Sequence, residues 1–114
     1  MAQDDIWLFS YGTLQQREVQ LAVFGRELEG CADVLTSYRL AKLEITDPVV
    51  IATIGLTFHW ILDETGDAAD RIPGQALRIT PADLAPADAY EAEDYKRVLV
   101  TLESGRVAFV YVRA

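Results

Sequence analysis

Tyr95-Lys96-Arg97-Val98-Leu99-Val100-Thr101-Leu102, then Ser104-Gly105, then Val107-Ala108-Phe109-Val110-Tyr111-Val112 reads as two extended segments joined by a tight turn. Val98, Val100 and Leu102 share one side of the first segment. On the second, Val107, Phe109 and Tyr111 face one way and Ala108, Val110 and Val112 the other, so both faces are apolar. An open sheet with one wetted face would leave one of those rows in water. The hairpin therefore predicts a mainly antiparallel sheet curled into a small β-barrel, within an α+β domain carrying a few short flanking helices.

Upstream of the hairpin, Thr80-Pro81-Ala82-Asp83 has the form of a helix start. Thr80 can cap, Pro81 suits the first helical position, and Asp83 can answer across the box. The helix is short or restarts at Pro86, and Leu84, Ala87 and Tyr90 or Glu91 fall three or four apart on one face. Pro73-Gly74 introduces a strand over residues 75–79, preceded by a polar loop over 63–71. Residues 49–62 are rich in β-branched and aromatic types and read as extended, with an interruption at Gly55; a helix there stays open as the alternative. Asp47-Pro48 ends the strand that alternation predicts over 38–45, and residues 26–30 form a turn region. Residues 15–24 predict a short helix closed by Gly25. At the front of the chain, Ile6-Trp7-Leu8-Phe9 is dense enough in apolar residues to be a buried strand, and it stops at Gly12.

The chain has 114 residues, the size of one ordinary domain, and carries a net charge of −8. Half of its residues are apolar and a quarter charged, which argues against disorder beyond the first few positions. No basic face is visible, so neither nucleic acid nor an anionic membrane is an expected partner. One cysteine, Cys31, allows no intrachain disulfide and is read as core filler; one histidine, His59, sits inside an apolar run and is read as a core or hydrogen-bonded side chain. Together they rule out the usual zinc and copper ligand sets, and no cofactor is expected. Without a leader-like start or a membrane-length apolar run, the expected location is the cytoplasm.

Two stretches could carry chemistry. In Tyr11-Gly12-Thr13-Leu14, Gly12 allows a sharp turn and close approach by a ligand, and Thr13 adds a hydroxyl beside a run of backbone N–H groups. Read locally, the same residues also suit a plain strand ending. In Ala87-Asp88-Ala89-Tyr90-Glu91-Ala92-Glu93-Asp94-Tyr95, Glu91 lies on the row of Leu84 and Ala87, while Asp88, Glu93 and Asp94 can stay wet. A carboxyl turned toward an apolar interior has its pKa raised, the condition for acid–base work near neutral pH, although most acidic runs are solvated faces. Tyr11, Tyr95 and Tyr111 are either ordinary strand aromatics or the lining of a pocket; Arg97 and Arg113 read as strand-edge decoration.

The order of Tyr11-Gly12-Thr13-Leu14, Ala87-Asp88-Ala89-Tyr90-Glu91-Ala92, Tyr95-Lys96-Arg97-Val98 and the closing Ser104-Gly105 and Val110-Tyr111-Val112 resembles the γ-glutamylcyclotransferase-like proteins, particularly the small bacterial and plant avirulence-induced-gene-like branch. The resemblance spans essentially the whole chain, including residues 24–30 and 72–74. Ala87 and Ala92 depart mildly from it, where leucine and glycine are frequent. It implies a small barrel with flanking helices, a Tyr-Gly-Ser/Thr-Leu loop, here Tyr11 to Leu14, that holds the substrate, and Glu91 as the acid–base residue; Tyr95 and Tyr111, as candidate pocket lining, are then expected to contact the substrate too. The implied reaction cleaves a γ-glutamyl amide by attack of the substrate's own α-amino group, releasing 5-oxoproline and an amine without metal or cofactor. Residues 63–71 are then candidates for selecting the amine. A noncatalytic small-molecule-binding domain of the same fold, or a structural domain, are the competing readings.

Overall fold

Ile6–Ser10 forms strand β1, at the centre of the sheet around which the other elements are placed. The computed structural model describes residues 6–44, 46, 48, 49, 52, 58–91 and 94–114. Following β1 are helix α1 (Arg17–Phe24), β2 (Gly30–Thr36), β3 (Tyr38–Glu44), β4 (Phe58–Glu64), β5 (Arg71–Ile79), helix α2 (Leu84–Glu91), β6 (Tyr95–Thr101) and β7 (Val107–Arg113). Single 3-10 turns at Thr13–Gln15 and Pro81–Asp83 precede α1 and α2. No helix among the described residues is long and apolar enough to cross a membrane.

Five strands pair in the order β2-β5-β1-β7-β6, and β3 and β4 form a separate antiparallel ribbon. All pairings are antiparallel except β1 with β7, where Trp7 lies opposite Ala108 and Leu8 opposite Phe109. The expected barrel does not close in this hydrogen-bond ladder: β2 and β6 are its two edges. The apolar rows on both faces are satisfied differently. On one face Phe9, Ala76, Val110 and Val112 pack with Tyr38 and Leu62 of the ribbon; on the other, Leu8, Leu77 and Tyr111 pack with Leu14, Ala87 and partly buried residues of α1 and α2. Covering each face with its own layer dries both rows, which is what closure was invoked to do.

Local signals set most element ends. Gly25 ends α1 in the left-handed region at φ 74°, with its N–H donating to the Leu21 carbonyl. The Thr80–Asp83 box forms as expected, and buried Asp83 also takes two hydrogen bonds from the Arg26 guanidinium at 2.6 and 3.0 Å. That guanidinium holds the Asp83 carboxyl below its ordinary range and ties the end of α1 to the start of α2. The terminal hairpin turns at Gly105 with φ 95°.

The strand expected over 38–45 is β3, and β2, for which the sequence offers no signal, precedes it; Ser37, with a φ of 71°, divides the two. Two expectations are corrected. Residues 49–62 are not extended throughout, because Val49 and Ala52 are helical and β4 begins only at Phe58; Gly55 and the side chain of His59 lie outside the described residues. The loop expected over 63–71 is shorter, since β4 continues through Glu64 and β5 starts at Arg71. Cys31 is a free thiol, half-buried against the core, in keeping with a filling role.

At Gly74, β5 passes so close to β1 that a Cβ would meet the Ser10 carbonyl oxygen and stand 2.7 Å from the Phe9 ring. Neither obstacle can move without opening the β1–β5 ladder. Gly74→Ala is therefore expected to destabilise the fold by about 2 kcal/mol or more, read from the urea midpoint; a midpoint matching the parent protein would show that this approach is not a tight constraint.

Candidate functional site

The parallel pairing of β1 and β7 puts their C-terminal ends at the same end of the sheet, and antiparallel β6 starts there, with Tyr95 opposite Arg113. Three chain segments meet at this end. The Tyr11–Leu14 loop leaves β1, α2 delivers Glu91 as its last residue, and Tyr95 opens β6.

The loop is fixed from within. The Gly12 carbonyl accepts hydrogen bonds from the backbone N–H and the side-chain amide of Gln15, both at 3.2 Å. Buried Gln20 donates to the Leu14 carbonyl at 2.9 Å and accepts from the Leu28 N–H at 2.9 Å, tying the loop to α1 and the chain beyond it. The Leu14 side chain is buried in the core, so only its backbone faces the site. Neither the Thr13 nor the Leu14 N–H has a hydrogen-bond partner among the described residues. A Cβ built on Gly12 would meet nothing within 4 Å among the described residues, so there is room beside this residue. Such N–H donors beside that room form a surface suited to an anion or a polarised carbonyl.

Glu91 sits on the inward row of Leu84 and Ala87, as its helical spacing predicts, while Tyr90 is the exposed residue of the pair. No hydrogen bond or ion pair to the Glu91 carboxyl is present among the described residues. Burial alone pushes its pKa up to about 7. Tyr11 and Tyr95 stand close enough to feel its charge. Burial first, then Tyr95 and Glu91, drives Tyr11 far above the ordinary phenol range, and burial first, then Glu91, Asp94 and Tyr90, pushes Tyr95 up to about 12. Both therefore keep their protons at neutral pH and remain hydrogen-bond donors. The Tyr11 hydroxyl donates to the Tyr111 carbonyl and that of Tyr95 to the Trp60 carbonyl, each at 2.8 Å.

Loop and helix are also joined directly, by a short hydrogen bond between the hydroxyls of Thr13 and Tyr90. On the helix side of the sheet the Tyr111 hydroxyl donates to Asp88 at 2.7 Å, and Arg97 donates to both Asp88 oxygens at 2.6 and 2.7 Å. Asp88 is thus not simply wet and Arg97 not merely decorative. Arg113 pairs with Asp63 at 2.6 Å. Tyr11, Gly12, Thr13, Leu14, Glu91 and Tyr95 converge; the Tyr111 hydroxyl is instead committed to holding α2. The spacing of three between Asp88 and Glu91 hinted at a shared helical turn, but the partners Tyr111 and Arg97 could not be read from it. Ala92 and Glu93 lie outside the described residues. Among the described residues no group of three or more His, Cys, Asp or Glu is placed to hold a metal ion.

A small α+β domain with a half-buried helix-end carboxyl beside a glycine loop from its first strand describes a class of protein. Residues 8–114 match the family described as gamma-glutamyl cyclotransferase, AIG2-like, and the chain belongs to that family. Among solved structures, an Arabidopsis thaliana protein determined in solution superposes with a TM-score of 0.73 at 22% identity, over 96% of this chain and 62% of that one. A human protein described as uncharacterized gives 0.72 at 13% identity, over 98% and 68%. A protein titled gamma-glutamyl cyclotransferase gives 0.70 at 14% identity, over 96% and 67%. At these identities the likeness is one of fold, and the chain spans 62% of the Arabidopsis protein's length. No curated protein matches the chain.

The raised carboxyl has a consequence for stability. An acid whose folded pKa lies above its unfolded value binds its proton more tightly when folded, so it costs stability as pH rises from about 4.5 to about 7. Glu91→Gln keeps the neutral shape without the charge. The variant should match the parent protein at pH 4 and exceed it by about 1–3 kcal/mol at pH 8 in urea unfolding. Equal stabilities at pH 8 would mean that Glu91 is effectively solvated.

Proposed function

We propose that the protein is a cyclotransferase that cleaves a γ-glutamyl amide, releasing 5-oxoproline and an amine, with Glu91 as general base and then general acid. The observation that carries this reading is a half-buried carboxyl pushed up to about 7 by burial, set beside a loop whose Thr13 and Leu14 N–H groups have no partner among the described residues. Membership of the family supports the same reaction class.

In this mechanism Glu91, as carboxylate, takes a proton from the substrate's α-ammonium. The freed amine attacks the γ-carbonyl carbon and closes a five-membered ring, moving the carbonyl electron pair onto oxygen. The N–H groups of Thr13 and Leu14 stabilise that oxyanion or hold the substrate's carboxylate. Glu91 gives that proton to the departing nitrogen, the C–N bond to the amine breaks as the carbonyl re-forms, and the regenerated Glu91 carboxylate takes the second proton from the ring nitrogen and passes it to the released amine, which leaves as an ammonium. Because nucleophile and electrophile belong to one molecule, the protein's task is to hold the glutamyl chain folded and supply the proton relay. Tyr11 and Tyr95, protonated near neutrality, serve as donors to the substrate's polar groups, and Tyr111 shapes the wall and fixes α2.

Below pH 7 Glu91 holds its proton and cannot accept one, so kcat/KM for 5-oxoproline release should rise with pH through an apparent pKa near 7. Glu91→Gln should lower release about 100-fold or more while leaving circular dichroism unchanged. Turnover matching the parent protein would remove Glu91 from the mechanism, and a pH profile flat from 5 to 8 would contradict its role as the base. Ligand-induced thermal stabilisation without release, across a panel of γ-glutamyl amides, would favour a binding domain of the same fold.

A further inference from the structure

The β3–β4 ribbon overhangs the site end of the sheet. Three contacts fix its alignment: the Trp60 carbonyl accepts from the Tyr95 hydroxyl, Leu62 belongs to the core cluster of Val112, and Asp63 pairs with Arg113. A cleft of about 390 Å³ continues between the ribbon and the sheet edge past Glu64, Val98 and Leu99. β4 therefore runs alongside β6 in the same direction, and its first residues reach the Tyr95 end, where Glu91 lies.

Alternation gives those residues a common face. Phe58, Trp60 and Leu62 are two apart on β4, and the register pairs them with Glu44, Lys42 and Leu40 of β3. Leu62 is fully buried, whereas Trp60, two residues nearer the site, is 44% exposed. The Phe58 and Trp60 rings meet edge to face with centroids 5.2 Å apart, and the Lys42 ammonium stands 4.4 Å from the first centroid and 5.8 Å from the second. Lys42 has no ion pair among the described residues, although the chain carries 18 acidic side chains. A cation with no ion pair among the described residues, beside two rings on the face that continues from the core toward the site, presents both an apolar surface and a partner for a carboxylate.

We propose that Phe58, Trp60 and Lys42 form the subsite for the leaving amine, selecting one that carries an apolar or aromatic side chain and a free carboxylate. The proposal rests on the cyclotransferase reading and assigns to the ribbon the selection that the sequence suggested for residues 63–71. Within that stretch Arg71 is paired with Glu103 and Asp63 with Arg113. Lys42 holds the carboxylate, the rings pack against the side chain, and the scissile nitrogen is presented toward Glu91 past Tyr95.

Release of 5-oxoproline from three synthetic amides tests this. γ-Glutamyl-phenylalanine carries ring and carboxylate, γ-glutamyl-phenethylamide lacks the carboxylate, and γ-glutamyl-alanine lacks the ring. The parent protein should favour the first over each of the others by about tenfold in kcat/KM. Lys42→Ala should erase the preference over phenethylamide, Lys42→Arg should retain it, and Trp60→Ala should erase the preference over alanine. Comparing ratios within one variant removes any shared loss from a weakened fold. Unchanged ratios in both alanine variants, with the parent protein active, would overturn the subsite and leave the reaction standing. No release from any amide would overturn the reaction and the subsite with it.

Discussion

The pairing of β1 with β7, the first and last strands and the only parallel neighbours among the described residues, is the constraint on which the site depends. Were they antiparallel, the Tyr11–Leu14 loop and the start of β6 would lie at opposite ends of the sheet, and Glu91 could not stand near Tyr11. Parallel pairing is compatible with this short chain because everything between the two strands serves as the crossover. The result is that loop, helix end and β6 all open toward one end, where the carboxyl ends of parallel strands leave room for a ligand.

Burial at that end does the electrostatic work. Glu91 lies where α2 packs its inward row on the sheet, and its neighbours are phenols rather than cations. The two other buried acids show the contrast. Asp83 is held by Arg26, and at Asp33 the hydrogen bonds from Ser104, Val34 and Arg106 outweigh the upward push of burial, so both are kept below the ordinary carboxylate range. One domain thus holds carboxyls in two regimes. Those with cations have structural roles, and the one without is poised near neutrality.

The sequence revealed the elements whose signals are local. Thr80-Pro81-Ala82-Asp83 started a helix, Gly25 ended one, Ser104-Gly105 turned the last hairpin, and helical spacing turned Glu91 inward. What depended on distant partners was hidden. Apolar rows on both faces of β7 could be covered by closing a barrel or by separate layers, and nothing local distinguishes the two. The alternation that exposed β3 from Tyr38 onward is weaker before it, and Ser37 carries no glycine signal for its positive φ, so β2 was invisible. Asp88 looked like a solvated acid because Tyr111 and Arg97, which bind it, arrive from 23 and 9 residues away. The Trp60 carbonyl, which takes the Tyr95 hydroxyl, has no sequence signature at all.

The central claim is that Glu91 exchanges its proton near neutral pH because burial disfavours its charge and no counter-charge among the described residues offsets that cost. Its titration can be followed directly by the carbon-13 shift of the Glu91 side-chain carboxyl, assigned by comparison with Glu91→Gln. The account predicts a midpoint near 7 for this carboxyl. A midpoint near 4.5, the value of a carboxyl in water, would contradict it.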